Sequence, residues 1–313
     1  MFEMATRSSE NFRYLLKLLR QRQHAGFENN LSRMRHDLDA FGAQFPSPSS
    51  VGIEAMTLGG RPAEMLSPPG HHNNTVLLYL HGGGYVMGSI RSHRQLAAHL
   101  SAAAKMQTLI IDYRLAPEHP FPAALEDALS AYRSILSNGL PTGGIMLAGD
   151  SAGGGLCVSL LTFLKKKRWP LPGACVLMSP WVDLSMRGNS WHRNAPHDVL
   201  VNQTAARRMA SLYLNGRDAI DPMASPLYAD LSMLPPLLVQ VGSNEVLMDD
   251  AVALHEKAKR CGVSSFIEIW DGMPHVWQFM SPILKEGRTA LQHAAEFLMT
   301  HIREGLKSRS HHF

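Results

Sequence analysis

The sequence has only three cysteines among its 313 residues. Cys157, Cys175 and Cys261 are too few for a disulfide framework, and no pair of them has the spacing of a zinc knuckle. All three lie in apolar segments, which predicts buried free thiols. Because free thiols are typical of a reducing compartment, we expect a cytoplasmic protein.

Long apolar runs are also missing. No stretch reaches the roughly 18 apolar residues that a membrane-spanning helix needs, and the first residues lack the basic and apolar regions of a signal peptide. We therefore expect no stable insertion into a membrane.

The sequence also lacks a strong excess of one sign of charge, since 30 Lys and Arg against 26 Asp and Glu leave a net charge of only +4. The basic residues that cluster at 165–168 and between 303 and 309 are typical of solvated helix ends, with a nucleic-acid site as the weaker alternative. The 16 histidines include no HExxH or other zinc pattern. The sequence predicts no nucleic-acid partner, no metal and no cofactor.

The hydrophobic pattern changes along the chain. Up to residue 45, apolar residues recur at helical spacing in two stretches, one around Phe12 and one from Phe27 to Phe41. After Pro48, short apolar strands alternate with helices, which predicts an α/β fold with a mostly parallel sheet buried on both faces. The predicted strands are 51–57, 62–66, 75–80, 107–112, 145–149, 174–179, 236–242 and 264–270. The helices between them are 91–104, 123–137, 152–166 and 249–261, and a last helix follows at 287–306.

More than fifty residues separate the sixth and seventh predicted strands, and one helical stretch, 203–214, lies within them. Loops of that length in a compact domain are usually lids or binding elements. We predict that an insertion at about 186–222 and the helices of residues 1–45 form a cap over a catalytic domain of residues 46–313. For the first helices, the alternative is a helix that lies on a membrane surface.

Four apolar residues of the insertion are candidates for the walls of a substrate pocket: Trp191, Met209, Leu212 and Tyr213. Packing against the body of the protein explains them equally well.

Gly149-Asp150-Ser151-Ala152-Gly153 follows a predicted strand and opens a predicted helix. A sharp strand-to-helix turn of this kind leaves little room for side chains, so glycines flank the serine, and the turn lifts the hydroxyl above the sheet. The pattern is weak alone, but its position predicts Ser151 as a nucleophile. A glycine-rich turn with a helix-capping serine is the alternative.

His81-Gly82-Gly83-Gly84 directly follows another strand. Acyl transfer creates an oxyanion that needs preorganised donors, and consecutive glycines let backbone N–H groups approach a substrate. We assign the oxyanion hole to the amides of Gly83, Gly84 and Ala152. A phosphate-binding loop is disfavoured because no Lys-Ser/Thr pair follows the glycines. We expect His81 to shape the loop.

A serine hydroxyl needs a base to take its proton. After a nucleophile turn of this kind, the acid follows the serine along the chain and the base follows the acid. His275 lies in a Gly- and Pro-rich loop just past the last predicted strand, whereas His293 and His301 lie within the last helix. The acid should follow the preceding strand, where we choose Glu245. Asp249 and Asp250 come just before a helix and are typical of helix caps.

These segments together resemble the bacterial hormone-sensitive-lipase-like esterases, also called family IV lipolytic enzymes. The matching motifs are HGGGYVMGS (81–89), DYRLAPEHPFPAALED (112–127), GDSAGGG (149–155), SPWVDLS (179–185), VGSNEVLMDD (241–250) and GMPHVW (272–277). They run in the family's order from about residue 50 to 280. The family mostly places Asp where this chain has Glu245.

The resemblance implies an α/β-hydrolase fold with eight strands, a helical cap and hydrolysis of short- to medium-chain acyl esters, with a homodimer as a family expectation. It also implies structural roles for Tyr113, Arg114, Glu118 and Asp183 around the elbow and the glycine loop. We expect a serine carboxylesterase without a cofactor. The alternatives are an amidase, a membrane-associated lipase and a small-molecule-binding protein on the same fold, because fold alone does not fix function.

Overall fold

The computed structural model describes residues 12, 16, 17 and 30–307, with side chains up to residue 302. In this part of the chain, one sheet has the strand order β1-β2-β4-β3-β5-β6-β7-β8. The strands are β1 (Gly52–Leu58), β2 (Arg61–Ser67), β3 (Val76–Leu80), β4 (Gln107–Ile111), β5 (Ile145–Asp150), β6 (Ala174–Met178), β7 (Leu237–Gly242) and β8 (Ser265–Trp270). The β1–β2 and β2–β4 pairs are antiparallel and the other pairs are parallel, so the predicted mostly parallel eight-stranded sheet is confirmed.

The helices form where helical periodicity predicts them, except for one short helix, Ser190–Arg193, that the sequence does not predict. They are α1 (Leu31–Gly42), α2 (Ile90–Ala104), α3 (Ala123–Ser137), α4 (Ala152–Lys166), α5 (Ser190–Arg193), α6 (Gln203–Leu214), α7 (Met248–Arg260) and α8 (Lys285–Lys307). Short 3-10 turns form at Thr142–Gly144, Pro226–Tyr228 and Trp277–Met280. Both α5 and α6 belong to the long segment between β6 and β7.

The core lies in two layers, one on each face of the sheet. Successive residues of a strand point to opposite faces, so in β3 Leu78 and Leu80 join one layer and Leu77 and Tyr79 the other. The first layer packs against α3, α4 and α7, and the second against α2 and α8. This double burial explains why the central strands have almost no polar residues.

The strand order changes direction at β3, which has β4 on one side and β5 on the other. In parallel sheets of this kind, ligands bind at the carboxyl ends of the strands near such a switch point. The glycine loop follows β3, Ser151 follows β5, Glu245 follows β7 and His275 follows β8. The topology therefore brings all four segments to one edge of the sheet.

The N-terminal region agrees with the sequence where it is described. The second predicted helix is α1, whereas the first lies outside the described residues apart from residues 12, 16 and 17. Cys157 and Cys175 are buried free thiols, as expected. The expectation was wrong for Cys261, which is only half-buried because it lies just past the last turn of α7.

Candidate active site

Three side chains form a continuous hydrogen-bonded chain above the sheet edge. His275 Nε2 lies 3.0 Å from Ser151 Oγ, and His275 Nδ1 lies 2.8 Å from Glu245 Oε2. Since a carboxylate only accepts, Nδ1–H donates to Glu245, which leaves Nε2 free to accept the proton of the serine hydroxyl. The residues that the sequence predicts as nucleophile, acid and base are thus in direct contact.

Ser151 lies in a tight turn between β5 and α4. Its φ is 52° and its ψ −122°, a conformation that non-glycine residues rarely adopt. A Cβ at Gly153 would lie 2.0 Å from the Leu80 carbonyl oxygen, and one at Gly149 2.6 Å from the Gly153 carbonyl oxygen. Glycine is therefore required on both sides of the serine. The N-terminus of α4 lies directly behind Ser151, where its dipole favours negative charge.

The glycine loop after β3 lines the same cavity as Ser151, and its backbone conformation requires glycine. Gly83 has a φ of 113°, and a Cβ there would lie 2.2 Å from the Met87 carbonyl oxygen. Gly84 has a φ of 62°, and its Cβ would lie 2.2 Å from Met209 Sδ. Within the described part of the chain, the amides of Gly83 and Gly84 donate to no protein acceptor. The amide of Ala152, in the first turn of α4, has no partner inside the helix.

His81 supports this loop from below. Its ring is buried and stacks on Tyr113 with 4.1 Å between ring centroids, while its Nδ1 lies 2.8 Å from the Gly82 carbonyl oxygen. The Tyr113 hydroxyl donates to the His81 carbonyl oxygen at 2.6 Å. Burial, and then the nearby imidazole of His93, lower the pKa of His81 to about 3. A neutral buried imidazole in this position shapes the loop, as the sequence predicts.

Glu245 is fully buried in the loop after β7. Its Oε1 accepts from the Gly242 amide at 2.6 Å and from the Ser179 hydroxyl at 2.7 Å, so its other oxygen is fixed toward His275. Ser179 Oγ also accepts from the Val276 amide at 3.1 Å, which ties the acid to the loop of the base. The longer side chain of glutamate therefore fills the acid position and accepts a hydrogen bond from each of these neighbouring donors.

The environment of His275 favours its protonated form. Burial of the ring opposes protonation, but the hydrogen bond to Glu245 and the charge of that carboxylate outweigh burial and raise the pKa of His275 above 6.5. A base of this kind takes a proton readily and is stabilised as imidazolium when a substrate reacts.

Comparison with known proteins agrees with this geometry. Residues 77–279 match the model of a family described as alpha/beta hydrolase fold. An acetyl-hydrolase of Streptomyces hygroscopicus is 47% identical over 86% of this chain and 88% of its own length. A solved esterase of the bacterial hormone-sensitive lipase family is 45% identical with a TM-score of 0.91, covering 94% of this chain and 99% of its own. EstE5, solved after soaking with p-nitrophenyl butyrate, is 41% identical with a TM-score of 0.91, covering 95% and 100%.

The chain belongs to the hormone-sensitive-lipase-like esterases of the α/β-hydrolase fold. In this member of the family, an apolar cavity of about 610 Å³ opens above Ser151. That volume is within the range of small-molecule sites. Helix α1 forms one wall with Met34, Leu38 and Phe41, and the segment between β6 and β7 forms the other wall.

The four predicted pocket residues divide into two groups. Trp191 and Met209 line the cavity of this esterase. Tyr213 lies outside the lining and stacks on Tyr85 with 3.9 Å between ring centroids, and Leu212 packs against the core. Trp191 belongs to α5, whereas Met209, Leu212 and Tyr213 all belong to α6. The packing of α6 against the body therefore decides which of its three residues meets the cavity.

Asp150 and His93 form a buried polar pair beneath the glycine loop, and no sequence spacing indicates that they meet. Asp150 is 2% exposed, and its Oδ1 accepts from the Gly82 amide at 3.1 Å and from the Tyr79 hydroxyl at 2.7 Å. Its Oδ2 lies 3.3 Å from His93 Nε2. Burial opposes the ionisation of Asp150, but His93 and the hydrogen bonds outweigh burial and lower the pKa of Asp150. The pair fixes the glycine loop relative to the serine.

Helix α1 is fastened to the same region by one arginine. Arg35 donates from Nε to the Val86 carbonyl oxygen at 2.8 Å and from Nη2 to the Ala116 carbonyl oxygen at 3.0 Å. Its guanidinium also binds Glu118 in a bidentate pair at 2.7 and 2.9 Å. The role that the family resemblance gives to Glu118 thus includes holding α1 over the cavity. No local pattern marks Arg35, because its partners lie 51 or more residues away.

The described helices contain no segment that is both long and apolar enough to cross a bilayer.

Proposed function

We propose that this protein is a serine carboxylesterase that hydrolyses short- to medium-chain acyl esters through an acyl-enzyme. The observation that supports it best is the unbroken chain from Ser151 Oγ through His275 to Glu245, at 3.0 and 2.8 Å, at the base of an apolar cavity. The esterase relatives and the solved esterases of the same family support the same reaction class.

In the first half of the reaction, His275 Nε2 takes the proton of Ser151 as the hydroxyl oxygen attacks the ester carbonyl. The amides of Gly83, Gly84 and Ala152 donate hydrogen bonds to the developing oxyanion. His275, now an imidazolium held by Glu245, gives its proton to the leaving alcohol. Ser151 then carries the acyl group as an ester.

In the second half, water replaces the alcohol. His275 takes a proton from that water as its oxygen attacks the acyl-enzyme, and the same amides stabilise the second oxyanion. The proton returns to Ser151 Oγ, the carboxylic acid leaves, and the enzyme is restored.

The walls of the cavity support an apolar acyl or alcohol group of modest size. We propose that α1 together with the insertion at about 186–222 acts as a cap on the catalytic domain of residues 46–313, since both segments line the cavity and neither contributes to the sheet. A cytoplasmic location and a homodimer stay predictions; light scattering on the purified protein measures the second.

The nucleophile is tested with Ser151→Ala and the ester p-nitrophenyl butyrate. We expect a loss of about a million-fold in kcat, as for removal of a triad serine elsewhere, with unchanged thermal unfolding. Ser137→Ala, at the exposed end of α3, is the matched control and should keep full activity. Retained hydrolysis by Ser151→Ala would falsify the proposed function.

Two further measurements separate this function from its alternatives. A fluorophosphonate probe should label the wild-type protein at Ser151, whereas a non-catalytic binding protein would stay unlabelled. Matched ester and anilide substrates distinguish an esterase from an amidase, and a series of p-nitrophenyl esters from acetate to laurate gives the acyl preference. Faster hydrolysis of the anilide would contradict the assignment as an esterase.

A further inference from the structure

Asp198 lies in the segment between β6 and β7, just after α5, and is 2% exposed. Its carboxylate accepts three backbone N–H groups. Oδ1 accepts from Leu200 at 2.9 Å and from Val201 at 2.8 Å, and Oδ2 accepts from Val246 at 2.9 Å. One buried side chain therefore joins two separate stretches of backbone.

Both stretches belong to the reaction site. Leu200 and Val201 line the cavity above Ser151. Val246 directly follows Glu245, whose carboxylate orients His275. A shift of Asp198 would move a wall of the cavity and the acid together.

A neutral side chain anchors the same loop beside Asp198. Asn194 is 5% exposed, and its Nδ2 donates to the carbonyl oxygens of Glu245 at 2.7 Å and Ser243 at 3.0 Å. The acid loop is thus held by one charged anchor and one neutral anchor from the same segment. Variants of these two residues therefore distinguish the loss of a charge near His275 from the release of the Glu245 loop.

The negative charge of Asp198 also acts on His275. The carboxylates that face His275 are Glu245 from the loop after β7, Asp198 from the insertion and Asp150 from the end of β5, and all three favour the imidazolium. Burial raises the pKa of Asp198, while His275 and the three N–H donors oppose that rise.

We propose that Asp198 is a positioning residue that fixes the loop of Glu245 to the wall of the substrate cavity and supports the charge of His275 during the reaction. The inference rests on the proposed esterase function. It gives the insertion a role in catalysis as well as in enclosing the substrate.

Asp198→Asn tests the proposal with almost no change of volume. The amide oxygen can keep the Leu200 and Val201 donors, but its NH₂ group then faces the Val246 N–H, so the bond to the acid loop is lost. We expect kcat for p-nitrophenyl butyrate to fall by up to about 100-fold, the loss that a displacement of about 1 Å causes in a catalytic group. Removal of the negative charge should also move the acid limb of the kcat/KM profile to lower pH, because the His275 imidazolium loses support.

Asn194→Ala is the matched control, since it removes the neutral anchor of the same loop. It should lower kcat and shift the acid limb less than Asp198→Asn does, because it releases the loop of Glu245 without removing a charge. An unshifted acid limb in Asp198→Asn, or equal shifts in the two variants, would overturn the proposal, because the charge of Asp198 would then have no effect of its own.

Asp198→Glu keeps the test decisive if Asp198→Asn does not fold. The longer carboxylate keeps the charge and displaces the loop, so we expect a lower kcat and an acid limb no lower in pH than that of Asn194→Ala; a lower limb contradicts the inference. Ser151→Ala distinguishes the two levels of the argument, because activity in that variant refutes the esterase function itself, whereas the Asp198 variants bear only on Asp198.

Discussion

Replacing Glu245 with glutamine should prevent His275 from acting as a base while the fold stays intact. Oε1 of Glu245 accepts two hydrogen bonds, from the Gly242 amide and the Ser179 hydroxyl, and Oε2 accepts one, from His275. In Glu245→Gln, the two donors hold the single amide oxygen at the Oε1 position. The NH₂ group must then face His275 Nδ1 at the former distance of 2.8 Å.

Two donors cannot face each other at that distance, so His275 changes its tautomer. Nδ1 becomes the acceptor for the amide, and the ring proton moves to Nε2, which faces the hydroxyl of Ser151. An Nε2 that carries a proton cannot accept one from the serine. The corresponding replacement in another serine hydrolase lowers kcat by about 10,000-fold, which equals about 5.4 kcal/mol of transition-state stabilisation.

The assay is the steady-state release of p-nitrophenol from saturating p-nitrophenyl butyrate, with circular dichroism and thermal unfolding to show that the variant is folded. Asp249→Asn is the matched control, because Asp249 accepts from the Ser190 amide and pairs with Arg193 away from the base. We expect that control to lose less than about tenfold. The reasoning fails if Glu245→Gln keeps its rate within about tenfold of wild type, or if Asp249→Asn is the slower variant.

Three more predictions follow from the site. The acid limb of the kcat/KM profile should have its midpoint above pH 6.5, because His275 must be neutral to act as a base and its folded-state pKa is raised; a midpoint at or below 6.5 contradicts this. Gly83→Ala should lower kcat by at least about 100-fold and Gly84→Ala by less than about tenfold, since only at Gly83 does the new Cβ meet backbone; equal losses in kcat argue against it. His93→Leu should destabilise the fold by about 3 kcal/mol, because it removes the partner of the buried Asp150 carboxylate, and an unchanged urea midpoint would exclude that pairing energy.

The positions of the strands along the chain and of the reacting groups after them could be predicted from local patterns. Each motif directly follows an apolar run, and parallel strands bring their carboxyl ends to one edge, so Ser151, Glu245 and His275 converge by topology. The glycines could be assigned because backbone geometry restricts residue type at those turns.

The polar residues that support the site could not be predicted, because their partners are far away in sequence. Arg35 contacts a carbonyl 51 residues on, and Asp198 binds an amide 48 residues on, with no local spacing to mark either contact. The pocket wall shows the same limit. Met209 and Tyr213 lie four residues apart on α6, so helical spacing places them on a common surface, but only the packing of α6 decides which of them meets the cavity.

The backbone conformation of Ser151 affects the thermal stability of this enzyme. A residue with a side chain at φ 52° and ψ −122° stores about 1–3 kcal/mol that the rest of the molecule must offset. Glycine at the same place would relieve that tension, so an inactive Ser151→Gly protein should melt at a higher temperature than the working one. The strain comes from having any side chain at this turn, so alanine in place of Ser151 keeps it and only glycine removes it.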